Sequence, residues 1–409
     1  MSLRIAVVNW SRRRAGGVES YLDFLIPQLA RSGHDLALLS EVDHPADRDA
    51  ISTSPAEDWC VTTMGREAAV GALRAWCPDV LLVHGLADLA LEQQLLGLTP
   101  AVLVAHSYYG TCISGGKTLT FPFVAPCERR FGPGCLAAFY PRRCGGLSPL
   151  TMVAQYRVQS TRLGLLRRYA RVLTLSDHMR REYLKHGCPP DRVHRLPPYV
   201  PGPDAARFEA PPTSHRREEI RLAFIGRLDR LKGCRVLIEA LPLAAVRAGC
   251  RIVLDVAGDG PDRQACELRA NAIARAGSSR VRFHGWCTSG NRDRLLAAAD
   301  VVVVPSLWPE PYGLAGVEAT AAGVPVAAFD VGAVREWLDP GVSGALAAAG
   351  GGAPALARAI AEAAALGRRP PLPAATVRAG HDAHAAALVD HLRRASGHPA
   401  DASEAACAS

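Results

Sequence analysis

Two glutamates, Glu310 and Glu318, stand eight residues apart in the segment EPYGLAGVE. An apolar run, VVVVP, ends just before them at Pro305, and AAGVPV follows them. The segment reads as a strand, a loop and a helix that starts near Leu314 and ends by Gly323. It therefore sits at the carboxyl edge of a sheet, where open α/β folds bind their ligands. Gly313 and Gly316 let backbone approach a ligand closely. The first N–H groups of the helix have no internal partner and form its positive end, which suits a phosphate. A loop carboxylate such as Glu310 can hold a sugar ring. A helix carboxylate such as Glu318 can accept two hydroxyls, as a ribose offers. Two glutamates at this spacing are common, so the reading rests on their context.

A second segment, FIGRLDRLKGCRVLIE from Phe224 to Glu239, places Arg227 and Lys232 just after an apolar run. Two cations at a strand's carboxyl edge fit a diphosphate, the arginine as a fork and the lysine as a point charge. Gly226 and Gly233 free the turn. The GDGP stretch, with Gly260, reads as a tight turn facing the same cleft. The FHGW stretch, with His284, offers a nucleobase a place to rest.

These residues need a frame. Apolar, β-branched runs alternate with helical stretches along most of the 409 residues. Arg4–Asn9, Leu36–Leu39, Val80–His84, Val102–Ala105 and Arg171–Leu175 read as strands buried on both faces, as parallel strands are. Val18–Arg31 reads as a helix kinked at Pro27, preceded by Gly16 and Gly17. The proline-rich stretch from Leu196 to Pro212 breaks the series and reads as a linker. A second series follows: Leu222–Gly226, Ile252–Ala257, Val281–His284, Val301–Pro305 and Val326–Phe329. The expected architecture is α/β, with two Rossmann-like, doubly wound domains and a cleft between them. The boundaries fall at 1–195, with an insertion at 108–147, a linker at 196–218 and a second domain at 219–375. A terminal helix at 376–395, from about His381, and a disordered tail at 396–409 complete the chain.

Together these segments resemble the retaining glycosyltransferases of family 4 (group 1), which have the GT-B fold. The resemblance runs from Arg4 to about Leu346. It is carried by GRLDRLKG, GDGP, FHGW and EPYGLAGVEATAAGVPV in that order, with GGVESYLDFLIPQL near the amino end. It implies transfer of a hexosyl-type sugar from a UDP-, GDP- or ADP-sugar to a glycan, lipid-linked or small-molecule acceptor, as in cell-surface polysaccharide or glycoconjugate synthesis. Gly16 and Gly17 would lie against the donor diphosphate, with Gly226, Gly260, His284, Gly313, Leu314 and Glu318 completing the donor site. Arg227, Lys232, Glu310 and His106 would be the catalytic residues, His106 as the family's active-site histidine near the sugar hydroxyls. The resemblance implies no protein nucleophile and no required cofactor, because the cations and the helix start would neutralise the leaving diphosphate. The stretch PPYVPGPD departs from the Asn-Gly-type turn that the family often carries before its second domain.

The segment from Ala101 to Ser176 carries ten Lys or Arg against one acid, Glu128, in a chain of net charge +8. Residues 108–147 are too many for an ordinary strand–helix connection. Arg129, Arg130, Arg142, Arg143, Arg162, Arg167 and Arg168, joined by Arg12–Arg14, would suit an acceptor phosphate or an anionic membrane surface. The intact set Arg227, Lys232, Glu310 and Glu318 speaks against a nucleic-acid partner and against a non-catalytic binder. A nucleotide-sugar epimerase on the same scaffold would need further acids and bases that the sequence does not cluster. Cys112, Cys127, Cys135 and Cys144 fall in the basic segment at gaps of 15, 8 and 9. They are a zinc candidate without CxxC pairs, and free thiols are the leading expectation. Asp47-Arg48-Asp49 reads as a solvated turn. No apolar run reaches the ~18 residues of a membrane span, and the start lacks a signal-peptide pattern. The expected location is cytoplasmic, with peripheral contact to the inner membrane face.

Overall fold

The computed structural model describes residues 2–13, 16–43, 50–51, 55, 57–146, 148–199, 218–275, 277, 279–287 and 289–397. The Asp47–Asp49 turn, most of the proline-rich linker and nearly all of the tail lie outside these residues.

The first half contains β1 (Arg4–Ser11), α1 (Gly17–Arg31), β2 (Asp35–Val42), β3 (Glu57–Cys60), α2 (Val61–Met64), α3 (Arg66–Trp76), β4 (Val80–Val83), α4 (Leu89–Leu95) and β5 (Ala101–Ala105). Then come the short ribbon β6 (Thr118–Leu119) and β7 (Ala125–Pro126), α5 (Gly134–Arg142), α6 (Pro149–Leu166), β8 (Arg171–Thr174), α7 (Asp177–Lys185) and β9 (Val193–Arg195). Seven strands form one parallel sheet in the order β3-β2-β1-β4-β5-β8-β9. The order reverses between β1 and β4, so the loops after these two strands open a crevice at the sheet's carboxyl edge.

The second half repeats the plan with β10 (Glu219–Ile225), α8 (Cys234–Ala248), β11 (Arg251–Ala257), α9 (Arg263–Ala274), β12 (Ser279–Gly285), α10 (Ser289–Ala298), β13 (Val301–Val304), α11 (Leu314–Ala321), β14 (Val326–Phe329), β15 (Gly344–Ala347) and α12 (Gly352–Leu366). Its six parallel strands run β12-β11-β10-β13-β14-β15, with the switch between β10 and β13. The Arg227–Lys232 and Ser306–Glu310 loops follow those two strands.

Every expected strand is present. The sequence reading missed β3, β9 and β15, whose sequences EDWC, VHR and GALA are short and lack a β-branched run. Helix α1 continues through Pro27. The terminal helix α13 (Ala374–Ala395) begins seven residues earlier than His381. It returns to the first half, where Leu388, Val389 and Leu392 join the core beside β4 and β5. His384 fastens it there: Nδ1 lies 2.8 Å from the Pro197 carbonyl and Nε2 lies 2.7 Å from the Tyr21 hydroxyl. A carbonyl only accepts, so Nδ1 carries the proton and Tyr21 donates to Nε2.

The insertion is docked by a buried ion pair. Lys117, 2% exposed, meets Glu182 of α7 at 2.7 Å and donates to the Arg129 carbonyl at 2.8 Å. His186 accepts from the Phe131 N–H at 2.8 Å.

Candidate active site

Glu310 is 3% exposed, and a carboxylate that deep must be paired. Three donors converge on its Oε1: Lys232 Nζ at 2.6 Å, Trp308 Nε1 at 3.0 Å and the Ser306 hydroxyl. No described hydrogen bond goes to Oε2, which leaves one carboxylate oxygen for a ligand. The Lys232 ammonium also lies 5.2 Å from the Trp308 ring centre.

Asp229 shapes the loop that delivers Lys232. Its Oδ1 accepts from the N–H groups of Leu231 (2.9 Å) and Lys232 (3.0 Å), and its Oδ2 accepts from Arg227 Nε at 2.7 Å. Gly233, at φ 73°, lets this turn lie against the Pro305 carbonyl, which a Cβ would meet at 1.9 Å. The two cations expected at a diphosphate thus differ in state. Lys232 is held by Glu310, whereas Arg227 is 72% exposed and tied only within its own loop. The GDGP turn braces them from behind: Leu228 N–H donates to the Asp259 carbonyl at 2.8 Å, and Gly260 packs on Leu228.

Glu318 lies one turn into α11 and is 6% exposed. Burial pushes its carboxyl above the ordinary range, and Arg292 Nη1, at 3.3 Å, partly offsets this. Gly313, at φ 90°, caps α11, and Leu314 lies at its first turn. Gly17 faces it from the other half, where a Cβ would stand 3.6 Å from Leu314 Cδ1. Glu19 holds that glycine loop, accepting from Gly16 N–H at 2.8 Å and from Asn9 Nδ2 at 3.1 Å. His284 is half-exposed and bonded to Asp255 at 2.7 Å, so its ring is committed to the sheet end.

His106 directly follows β5 and lies 2.9 Å through Nε2 from His84 Nδ1, with the rings stacked 5.3 Å apart. Burial pushes the His106 imidazole down to about 4 and lowers His84 well below its usual value, helped by His106. The pair is neutral at neutral pH, with one ring donating to the other. Tyr108, two residues on, is fully buried and its hydroxyl has no protein partner among the described residues. It stands edge-on to Trp308 at 6.1 Å, and burial with the nearby Glu310 charge keeps its phenol protonated. The sequence reading missed Asp229, Glu19, His84 and Tyr108 as site residues. Only Glu19 left a local signal, as the third residue of a helix capped at Gly16.

The four cysteines gather in the insertion: Cys112, Cys127 and Cys135 all bear on the Cys144 thiol, and Cys112 and Cys135 on Cys127. Among the described residues no group of three or more His, Cys, Asp or Glu is placed to hold an ion. Cys135 and Cys144 turn toward the Arg130 and Ala138 carbonyls, and Cys112 toward the Ser114 hydroxyl. Burial, with the charge of the neighbouring cysteines, pushes the Cys127 and Cys144 thiols up. All described cysteines are free. Arg12 and Arg13 do not join a free basic face: Arg12 pairs with Asp58 at 2.8 Å and Arg13 with Asp43 at 2.5 Å.

Known proteins align with both halves. Residues 15–201 match the family model described as Glycosyltransferase Family 4, and residues 219–365 match that of Glycosyl transferases group 1. The chain belongs to the group 1, family 4 glycosyltransferases. It is thus an enzyme of the glycosyl-transfer class. The 2-deoxystreptamine glucosyltransferase of Streptomyces kanamyceticus is 30% identical over 298 residues, covering 70% of this chain and 68% of that one. An uncharacterized glycosyltransferase of Methanocaldococcus jannaschii, MJ1607, is 35% identical over 127 residues, and the alignment spans 31% of either chain. The crystal structure of Anabaena HepE in complex with UDP-glucose superposes with a TM-score of 0.60 at 20% identity, covering 97% of this chain and 98% of that one. The paired sheets are those of a GT-B glycosyltransferase.

Proposed function

We propose that this enzyme moves a hexosyl-type sugar from a nucleoside-diphosphate sugar to a hydroxyl acceptor, with retention of anomeric configuration. One observation carries the reading: Glu310 is anchored through Oε1 by Lys232, Trp308 and Ser306, in the loop that leads into α11, with Tyr108 edge-on to Trp308. An ammonium has three donors. One is spent on Glu310, so the others serve the diphosphate, and Lys232 ties the sugar-binding carboxylate to the leaving group.

In this scheme the acceptor oxygen attacks the anomeric carbon on the face that the diphosphate leaves. The bond from that carbon to the β-phosphate oxygen breaks, and the same phosphate oxygen takes the acceptor's proton. Arg227, Lys232 and the first N–H groups of α11 stabilise the negative charge as it develops. Glu310 Oε2 and the neutral His106 orient the sugar hydroxyls. Glu318 holds the nucleotide ribose.

UDP-glucose is the first donor to test, since it is the ligand of the HepE structure. Release of nucleoside diphosphate from UDP-, GDP- and ADP-sugars without acceptor identifies the donor, and NMR of the product's anomeric proton reads the stereochemistry. Binding of bare nucleotide with no turnover of any sugar would favour a binding protein instead. An inverted product would overturn the stereochemical assignment.

The acceptor side supports contact with an anionic bilayer. Exposed Arg129, Arg130, Arg142, Arg143 and Arg157 share the insertion and α6 with Phe121 (46% exposed), Phe123 (67%) and Leu150 (82%). No helix among the described residues is long and apolar enough to cross a membrane, and the reading is of a peripheral contact. Flotation with anionic but not neutral vesicles is the expected outcome.

A further inference from the structure

We infer that Glu336 is a positioning residue that couples the approach of the two halves to the placement of Glu310. Glu336 lies in the short turn Val334–Glu336 that follows β14, in the second half. Its carboxylate nevertheless serves the first half. Oε2 accepts from the Asp177 N–H at 2.9 Å and Oε1 from the His178 N–H at 2.8 Å. These are the opening amides of α7, and the helix's own cap, Ser176, accepts from the next, Met179, at 3.2 Å. The first turn of α7 is therefore satisfied jointly, with acceptors for two of its orphan donors supplied by a residue about 160 positions away in sequence. A carboxylate there also meets the positive end of the helix. Arg195 lies 3.6 Å from Glu336 and 3.5 Å from Asp177, closing the contact.

The residues just before and after Glu336 grip the donor segment. Ala333 N–H donates to the Glu310 carbonyl at 2.9 Å. Gly332, at φ 62°, lies so close that a Cβ would stand 2.3 Å from both Glu310 N and Glu310 O. Trp337 donates through Nε1 to the Tyr312 carbonyl, and its ring covers Gly313 and Gly316, where a Cβ on Gly316 would meet Cη2 at 2.2 Å. Residues 332–337 thus hold the backbone on both sides of Glu310 while reaching across to α7. Tyr312, Val317 and Ala333 of the second half also pack into the core of the first, so the contact is apolar as well as charged. A carboxylate that docks only when the halves approach makes the position of Glu310 depend on that approach.

The assignment rests on the glycosyl-transfer reading, and one arm of its test does not. Small-angle scattering of the ligand-free protein should show a larger radius of gyration for Glu336→Ala than for wild type, whatever the enzyme transfers. In turnover with UDP-glucose, Glu336→Ala and Glu336→Gln should lower kcat at least tenfold. Binding of UDP should stay within about twofold, because the diphosphate-binding residues of the second half do not touch Glu336. Glu336→Asp, which keeps the charge one methylene short, should recover part of kcat. Unchanged scattering in Glu336→Ala overturns the proposal. So does a kcat within twofold of wild type in both Ala and Gln variants, and so does a loss of UDP affinity as large as the loss of kcat. If wild type turns over no sugar, the transfer reading fails, and the scattering arm still decides the contact.

Discussion

Replacing Lys232 by methionine removes the cation from Glu310 and, on the proposed mechanism, from the leaving diphosphate. The two losses have different sizes and signatures. The Glu310 side chain is 4% exposed and the Lys232 side chain 30%, so the pair is buried at one end only. A hydrogen bond to a charged group contributes about 1.5–3 kcal/mol, and the partly wet lysine end places this pair near the lower figure. Ser306 and Trp308 still donate to Oε1, so the carboxylate is not abandoned. A fall of a few degrees in Tm is expected, since about 1 kcal/mol shifts a domain of this size by roughly 2–4 °C. The catalytic loss is larger. Removing one preorganised donor from developing charge costs about 10²–10³ in rate. The assay is initial-rate release of UDP from UDP-glucose beside a thermal melt. The variant pair Lys232→Met and Glu310→Gln then forms a cycle with the double variant. If Lys232 serves only to neutralise Glu310, adding Lys232→Met to Glu310→Gln costs no further rate. If it also serves the diphosphate, the added substitution lowers the rate again. A folded Lys232→Met with kcat/KM within threefold of wild type would refute the role given to Lys232.

Two further outcomes follow from buried charge. Lys117→Met leaves the buried Glu182 with only the partly exposed Lys185, at 3.4 Å among the described residues, and should destabilise the fold by less than the about 3–5 kcal/mol of a fully unpaired buried charge, whereas Lys117→Met with Glu182→Leu should recover most of that in urea melts. Acid should destabilise the protein by two routes. Burial drives His106, His384 and His391 down to about 4. Between that value and the ordinary ~6.5 the unfolded chain binds protons that the folded chain refuses, so stability falls as pH drops through this window. Burial alone would raise the Glu182 carboxyl, but Lys117 overcomes it and holds the group below its usual range. The stability it contributes is present above the unfolded value of about 4.3 and is lost below. Melts at pH 7.5, 5.5 and 4.5 should therefore decline in that order. Turnover between pH 5.5 and 8 should show no step assignable to His106.

What the sequence made legible was local chemistry. Strand-end loops are written as an apolar run followed by a turn, so Arg227, Lys232, Glu310 and Glu318 could be placed on the right edge before any coordinates. The family's group 1 model covers that same stretch. Short strands such as EDWC and GALA carry no such pattern, because their pairing is decided by neighbours already in the sheet. The four-cysteine segment was open in the sequence for a related reason. Spacing between Cys112, Cys127, Cys135 and Cys144 says nothing about where each sulfur turns once the insertion packs around Phe131 and Phe139.

Groups that act across the halves were the least legible. Tyr108 and Glu336 look ordinary in sequence, one an aromatic after a strand and the other an acid in a turn. Their meaning arises only when residues far apart in sequence meet. Tyr108 then sets its ring edge-on to Trp308, a donor to Glu310, and Glu336 caps a helix of the opposite half. Neither contact survives separation of the halves, whereas the bonds from Lys232, Ser306 and Trp308 to Glu310 lie wholly within the second half and do. The donor side is thus complete in one half, and its alignment with His106 and Tyr108 depends on the contact between the two. On this argument, variants at Lys232 and variants at Glu336 should fail differently, the first at the leaving group and the second at the meeting of donor and acceptor.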